Sequence, residues 1–104
     1  MVSVATLKVL SAFLDATEHD HYGFGLMRSN GLKAGTLYPI LDRLERAGWL
    51  EAHDEDIDEV SAGRPKRRLY RLTPVGKREG RRVIAEFYRN LGPVPEWALR
   101  PERA

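Results

Sequence analysis

The stretch Leu37-Tyr38-Pro39-Ile40-Leu41-Asp42-Arg43-Leu44-Glu45-Arg46-Ala47-Gly48 decides the fold. Leu37, Ile40, Leu41 and Leu44 recur at i, i+3, i+4 and i+7, the spacing that gathers apolar side chains on one face of a helix. Gly48 follows as the C′ residue that ends it. Pro39 has no N–H and is tolerated only near a helix start, so the helix begins between Ala34 and Thr36. Its opposite face then carries Lys33, Thr36, Tyr38, Pro39, Asp42 and Arg43.

Upstream, Asn30-Gly31 is a turn pair that tolerates positive φ. Before it, Tyr22 to Arg28 reads as a short helix despite two glycines, and the polar run Thr17–His21 as a connection. The spacing of Val4, Leu7, Leu10 and Leu14 predicts an amphipathic first helix starting near Ser3 and ending about Ala16. Downstream, Trp49–Ala52 and Arg68–Leu72 alternate apolar and polar residues, as strands do. The charged segment between them contains Gly63 and Pro65, which suggests an antiparallel hairpin with a long tip. Thr73-Pro74 supplies an N-cap and a proline at N1 for a last helix to about Asn90. The expected fold is mainly α with a small β-hairpin: a winged helix-turn-helix of three helices, a two-stranded wing and a C-terminal helix. One domain over residues 1–91 is expected, with an irregular, proline-containing tail over 92–104. The expected core comprises Leu7, Leu10, Phe13 and Leu14, the four-residue stripe of the third helix, and Leu50, Leu69 and Leu72.

Composition narrows the function. The chain has 104 residues, 42% hydrophobic and 31% charged, enough for one core and too polar for a membrane protein. No apolar run approaches a bilayer span and no leader-like start is recognised, so a cytoplasmic protein is expected. Without cysteine, disulfides, thiolate metal sites and cysteine nucleophiles are excluded. The net charge is only +2, but it is segregated. Asp54 to Glu59 holds five acids and no base; Arg64 to Arg82 holds nine basic residues against Glu79 alone. A basic block of this kind suits a polyanionic partner, with a solvated basic face as the plain alternative.

Particular motifs then stand out. Gly35-Thr36-Leu37-Tyr38-Pro39-Ile40-Leu41, Arg43-Leu44-Glu45 and Ala47-Gly48-Trp49-Leu50 resemble the recognition helix of the PadR family of transcriptional regulators. Tyr22-Gly23 is similar to the family's entry to its second helix, and Gly63-Arg64-Pro65 with Arg68-Leu69-Tyr70-Arg71-Leu72-Thr73 to its wing. The resemblance spans about Leu7 to Tyr88 and is closest to the short subgroup. This chain departs from the pattern in having Lys33 where many members have Ser, in a brief C-terminal region, and in the acidic insert Asp54–Glu59. The resemblance implies repression by promoter occlusion and, in some members, a small apolar or phenolic effector near a dimer interface. Trp97 is the aromatic residue available for one in the tail.

The candidate partner is double-stranded DNA. Lys33 and Thr36 flank a helix N-terminus, where free N–H groups and the dipole favour phosphate. Tyr38, Pro39 and Arg43 lie on the exposed helix face, with packing of Tyr38 against the wing as the alternative. Arg64, Lys66 and Arg67 surround Pro65 at the wing tip, with reach for phosphates or a minor groove. A homodimer on an inverted repeat is expected, its seam built from Val4, Val83, Ile84, Phe87, Tyr88 and Leu91, with Val9 also outside the first helix's stripe. The rival reading is a winged-helix protein-interaction module. His19-Asp20-His21 and His53-Asp54-Glu55 match no metal-site spacing. Gly23-Phe24-Gly25 follows no strand and is no nucleotide fingerprint. Ser3, Ser11, Ser29 and Ser61 have no His/acid partnership. No enzyme, metal or cofactor is expected.

Overall fold

In a computed structural model, which describes residues 2–100, Ser3 opens α1 (Val4–Asp15) by accepting the Thr6 N–H at 3.1 Å. His21–Tyr22 forms a two-residue strand, β1, and runs directly into α2 (Gly23–Asn30). Gly31, at φ 68°, takes the left-handed conformation that ends α2 and turns the chain into α3 (Ala34–Arg46). Strand β2 (Leu50–Asp54), a one-turn helix α4 (Glu59–Ala62) and strand β3 (Arg68–Leu72) follow. Thr73 caps α5 (Pro74–Leu91) by accepting the Gly76 N–H, and a 3-10 turn (Glu96–Leu99) lies beyond it.

The sheet is antiparallel in the order β1-β3-β2, with Leu50 opposite Leu72, Asp54 opposite Arg68 and His21 opposite Tyr70. Three points correct the sequence reading. The hairpin has a third strand, because His21–Tyr22 pairs with β3 instead of belonging to a connection and a helix. Two residues are too few to show a period, so only the neighbouring strand reveals them. The wing loop contains a helical turn, capped by Asp58, whose carboxylate accepts the Val60 N–H at 3.2 Å. The tail, expected to be irregular, includes the 3-10 turn.

Pro39 lies in the second turn of α3, on the solvent side. Its ring crowds the carbonyl four residues back, and that carbonyl belongs to Gly35, which is exposed to solvent. The penalty is offset on the other face, where Leu37, Ile40, Leu41 and Leu44 enter the core with Leu10, Phe13, Leu50 and Leu72. Leu26 and Tyr70 complete it. Leu7, Leu14 and Leu69 are only half-buried, because α1 and β3 have one covered face each and these residues sit at its margins. Val9, which the sequence places outside the first helix's stripe, is fully buried. Helix α1 packs against α2, α3 and α5 together, so a wider arc than one stripe is covered.

The radius of gyration is 16.3 Å, above the ~13 Å of a compact chain of this size, and the longest axis is 53 Å. The excess comes from α5, an 18-residue helix of which only the first half is covered. A tight joint seats it: the Thr73 N–H donates to the Trp49 carbonyl at 2.9 Å, and Thr73 Oγ1 donates to the Gly48 carbonyl at 2.6 Å.

Candidate nucleic-acid interface

Burying the leucine stripe of α3 turns the rest of that helix outward. Lys33, Thr36, Tyr38, Pro39 and Arg43 are all exposed. Lys33 is the N-cap residue and supplies no side-chain acceptor, so the N–H groups of Ala34 and Gly35 at the helix start are left for solvent or an anion. Nothing lies within 4 Å of where a Gly35 Cβ would be, which leaves the approach to these donors open.

Tyr38 is 46% exposed and lies against α2, facing the wing across a cleft. Its phenol end covers Gly23, where any side chain would collide with it. With Phe24, Lys66, Arg67 and Tyr70 it lines a cleft of about 470 Å³ between the helices and the wing. Tyr38 of α3 and Lys66 and Arg67 of the wing tip therefore border one cleft. Phe24, exposed at the start of α2 beside this cleft, was not singled out in the sequence. An aromatic residue between two glycines was the available signal. Arg46 was also missed; it is exposed and paired with Asp42 at 3.0 Å on the outer face of α3.

The wing basic residues differ from one another. Lys66 is exposed and in no ion pair among the described residues. The Arg67 guanidinium rests over the Tyr22 ring, 4.2 Å from its centroid, a cation–π contact that aims it along the cleft. Arg64, grouped with them in the sequence as a free cation, is instead held by both carboxylate oxygens of Glu55 at 2.7 and 3.0 Å. That bond holds the Glu55 carboxyl at about 2, well below the usual carboxylate range. Arg68 bridges to Glu45 of α3 at 3.1 Å, strapping the wing to the recognition helix. Arg71 binds Asp20 at 2.9 Å and the Glu18 carbonyl, strapping β3 to the segment before β1. Burial pushes the Tyr70 phenol up.

At the far end, Val83 and Ile84 are half-buried against the chain's own core. Val4 and Tyr88 are 60% exposed and Leu91 65%, and Phe87 is exposed beside them. Val4, Phe87 and Tyr88 border a shallow groove between α1 and α5. Trp97, on the 3-10 turn, is exposed. Among the described residues no cluster of His, Asp and Glu is placed to hold a metal ion, and no helix is long and apolar enough to cross a membrane.

A helix-turn-helix followed by a basic wing, with Tyr38 of its second helix and the wing tip lining one cleft, defines a winged helix-turn-helix protein. The chain belongs to the transcriptional regulator PadR-like family, whose model matches residues 14–82. It is 43% identical over 60 residues to "Transcriptional regulator Rv3488" of Mycobacterium tuberculosis, covering 55% of this chain and 51% of that one. The chain thus spans about half the length of that curated relative. Among solved structures it resembles smu.1704 from Streptococcus mutans UA159, with TM-score 0.63, 31% identity, and coverage of 83% of this chain and 79% of that one. A PadR family transcriptional regulator from Eggerthella lenta DSM 2243 superposes with TM-score 0.65 at 28% identity, covering 80% and 73%. The family and this curated relative are transcriptional regulators, not enzymes.

Proposed function

We propose that the chain is a sequence-specific DNA-binding repressor that acts as a homodimer on an inverted-repeat operator. The observation that carries this reading is the meeting of Tyr38, on the exposed face of α3, with the wing residues Lys66 and Arg67 around one cleft. In the complex, α3 enters the major groove. Thr36, Tyr38, Pro39 and Arg43 face base edges and the groove wall, and Lys33 with the free N–H groups of Ala34 and Gly35 holds a phosphate. Lys66 and Arg67 grip the backbone of the flanking groove. Phosphate contacts set affinity and its salt dependence; the α3 side chains set selectivity.

Dimerisation follows from two needs met by one surface. A single recognition helix reads few base pairs against ~10⁶–10⁹ competing genomic positions, and two copies spaced by about 34 Å, one turn of DNA, resolve that. The far half of α5 leaves Phe87, Tyr88 and Leu91 wet beside Val4, and Val83 and Ile84 border the same surface, which a second copy would cover. Occlusion of a promoter by the bound dimer gives repression. A small aromatic effector would bind at this seam, and Trp97 of the tail is exposed.

The test begins with selection of a site from random duplex DNA by the full chain, followed by gel shift on the selected and a scrambled duplex. The expected result is a palindromic site bound preferentially by two copies. A chain that enriches no sequence and shifts both duplexes alike would overturn the reading and leave the protein-interaction module in its place.

A further inference from the structure

The acidic insert is the one prominent sequence feature that DNA binding does not absorb, and the structure gives it a use. The β2–β3 ladder ends with Asp54 opposite Arg68. One step further, the Glu55 N–H donates to the Arg67 carbonyl at 2.8 Å, while the Arg67 N–H donates to the Glu55 carboxylate at 3.3 Å. The side chain of Glu55 thus replaces the next strand carbonyl. Glu59 serves the rest of the tip: its carbonyl accepts the Arg64 N–H at 3.3 Å and its carboxylate accepts the Lys66 N–H at 3.3 Å. Pro65 has no N–H, so every backbone donor from Arg64 to Arg67 ends on these two glutamates. The remaining Glu55 valences hold the Arg64 guanidinium in a two-oxygen grip, the geometry in which an arginine–carboxylate pair is strongest.

We propose that Glu55 is a positioning residue of the wing: it withdraws Arg64 from the DNA and fixes the tip so that Lys66 and Arg67 alone meet phosphates, in one orientation. This rests on the DNA-binding reading above. A freed Arg64 would add a mobile phosphate contact on random DNA, whereas on the operator the phosphates within reach of the tip are already met by Lys66 and Arg67. The insert thereby trades one cationic contact for selectivity. The Glu55 carboxylate stays charged through the physiological range, so the grip is permanent rather than switched.

The experiment compares full-length wild type, Glu55→Gln, Arg64→Ala and the double variant on the selected operator and on a random-sequence duplex, measuring affinity across a salt series. Glu55→Gln frees Arg64, so the salt dependence on random DNA steepens by about 0.9 in the log–log slope, one added phosphate contact. The operator-to-random preference falls several-fold. Arg64→Ala leaves both the slope and the preference near their wild-type values, because its guanidinium touches no phosphate in the wild type. In the double variant the added slope disappears. A merely structural role would shift the melting temperature and move neither slope nor preference. A Glu55→Gln slope equal to wild type overturns the proposal, as does an Arg64→Ala slope shallower by about 0.9, which would make Arg64 a contact. Both variants alter the surface of the wing, outside the buried core, and circular dichroism confirms that each is folded. Wild type without operator preference defeats the DNA-binding reading itself, a separate result.

Discussion

Two glycines four residues apart on α5 should respond oppositely to the same substitution. At Gly76 an added Cβ would overlap the Trp49 carbonyl, and the Leu72 side chain is 3.0 Å from the same point. The obstacle is backbone, and that carbonyl accepts the Thr73 N–H. It cannot retreat without loosening the bonds that seat α5. Overpacking against a fixed group costs about 1–3 kcal/mol, and weakening that hydrogen bond adds about 1. Alanine's helix preference returns up to about 1 kcal/mol, leaving a net loss of about 1–3. At roughly 4 °C per kcal/mol for a domain of this size, Gly76→Ala lowers the melting temperature by about 4–12 °C. At Gly80 the added Cβ would meet only Leu10 and Leu14 side chains at 3.6 Å, ordinary contact. There the helix preference acts alone, and Gly80→Ala leaves the melting temperature unchanged or raises it by up to about 4 °C. Thermal denaturation at matched protein concentration reads both, since a dimer's midpoint depends on concentration. Equal melting temperatures for the two variants would refute the close approach of α5 to Trp49.

Lys66→Ala/Arg67→Ala should weaken binding to all duplexes alike and flatten the salt slope by about 1.8, two phosphate contacts, while Tyr38→Phe or Thr36→Ala should cost about tenfold more on the operator than on random DNA. Gel shifts in a salt series separate them, and equal losses on both DNAs for every variant would remove the division between wing and helix. Light scattering at micromolar concentration should give twice the chain mass for wild type and the chain mass for Phe87→Asp; a folded Phe87→Asp that remains dimeric places the seam elsewhere. The Arg64 pair lowers the Glu55 carboxyl below its ordinary 4.5 to about 2, so its stabilising effect is present above about 4.5 and fades as pH falls toward 2. The melting temperature of wild type should therefore exceed that of Glu55→Gln at pH 6 and converge with it near pH 2; a gap that persists at pH 2 contradicts the pairing.

The chain's local chemistry specified much of this fold. The caps Ser3 and Thr73, the turn at Gly31, the stop at Gly48 and the leucine stripe of α3 act within four residues, and each was legible from spacing alone. Strand β3 was legible to the residue, because alternation holds over its whole length. The exposed face of α3 followed from the same stripe, since burying one side of a helix exposes the other. What tertiary structure decided depends on partners distant in sequence. His21–Tyr22 becomes a strand only because β3 offers it a ladder. Val9 is core, although it lies off the Leu7/Leu10/Leu14 stripe, because α2, α3 and α5 all pack on α1, while Leu7 borders the shallow groove between α1 and α5 and is half-buried. Arg64 and Arg67 look equivalent in a basic run, yet one is bound by Glu55, nine positions away, and the other lies on Tyr22, on a strand far earlier in the chain. Charge patterning locates a basic surface, but only three-dimensional pairing determines which of its cations remain free, because an ion pair is set by distance in space and by no period along the chain.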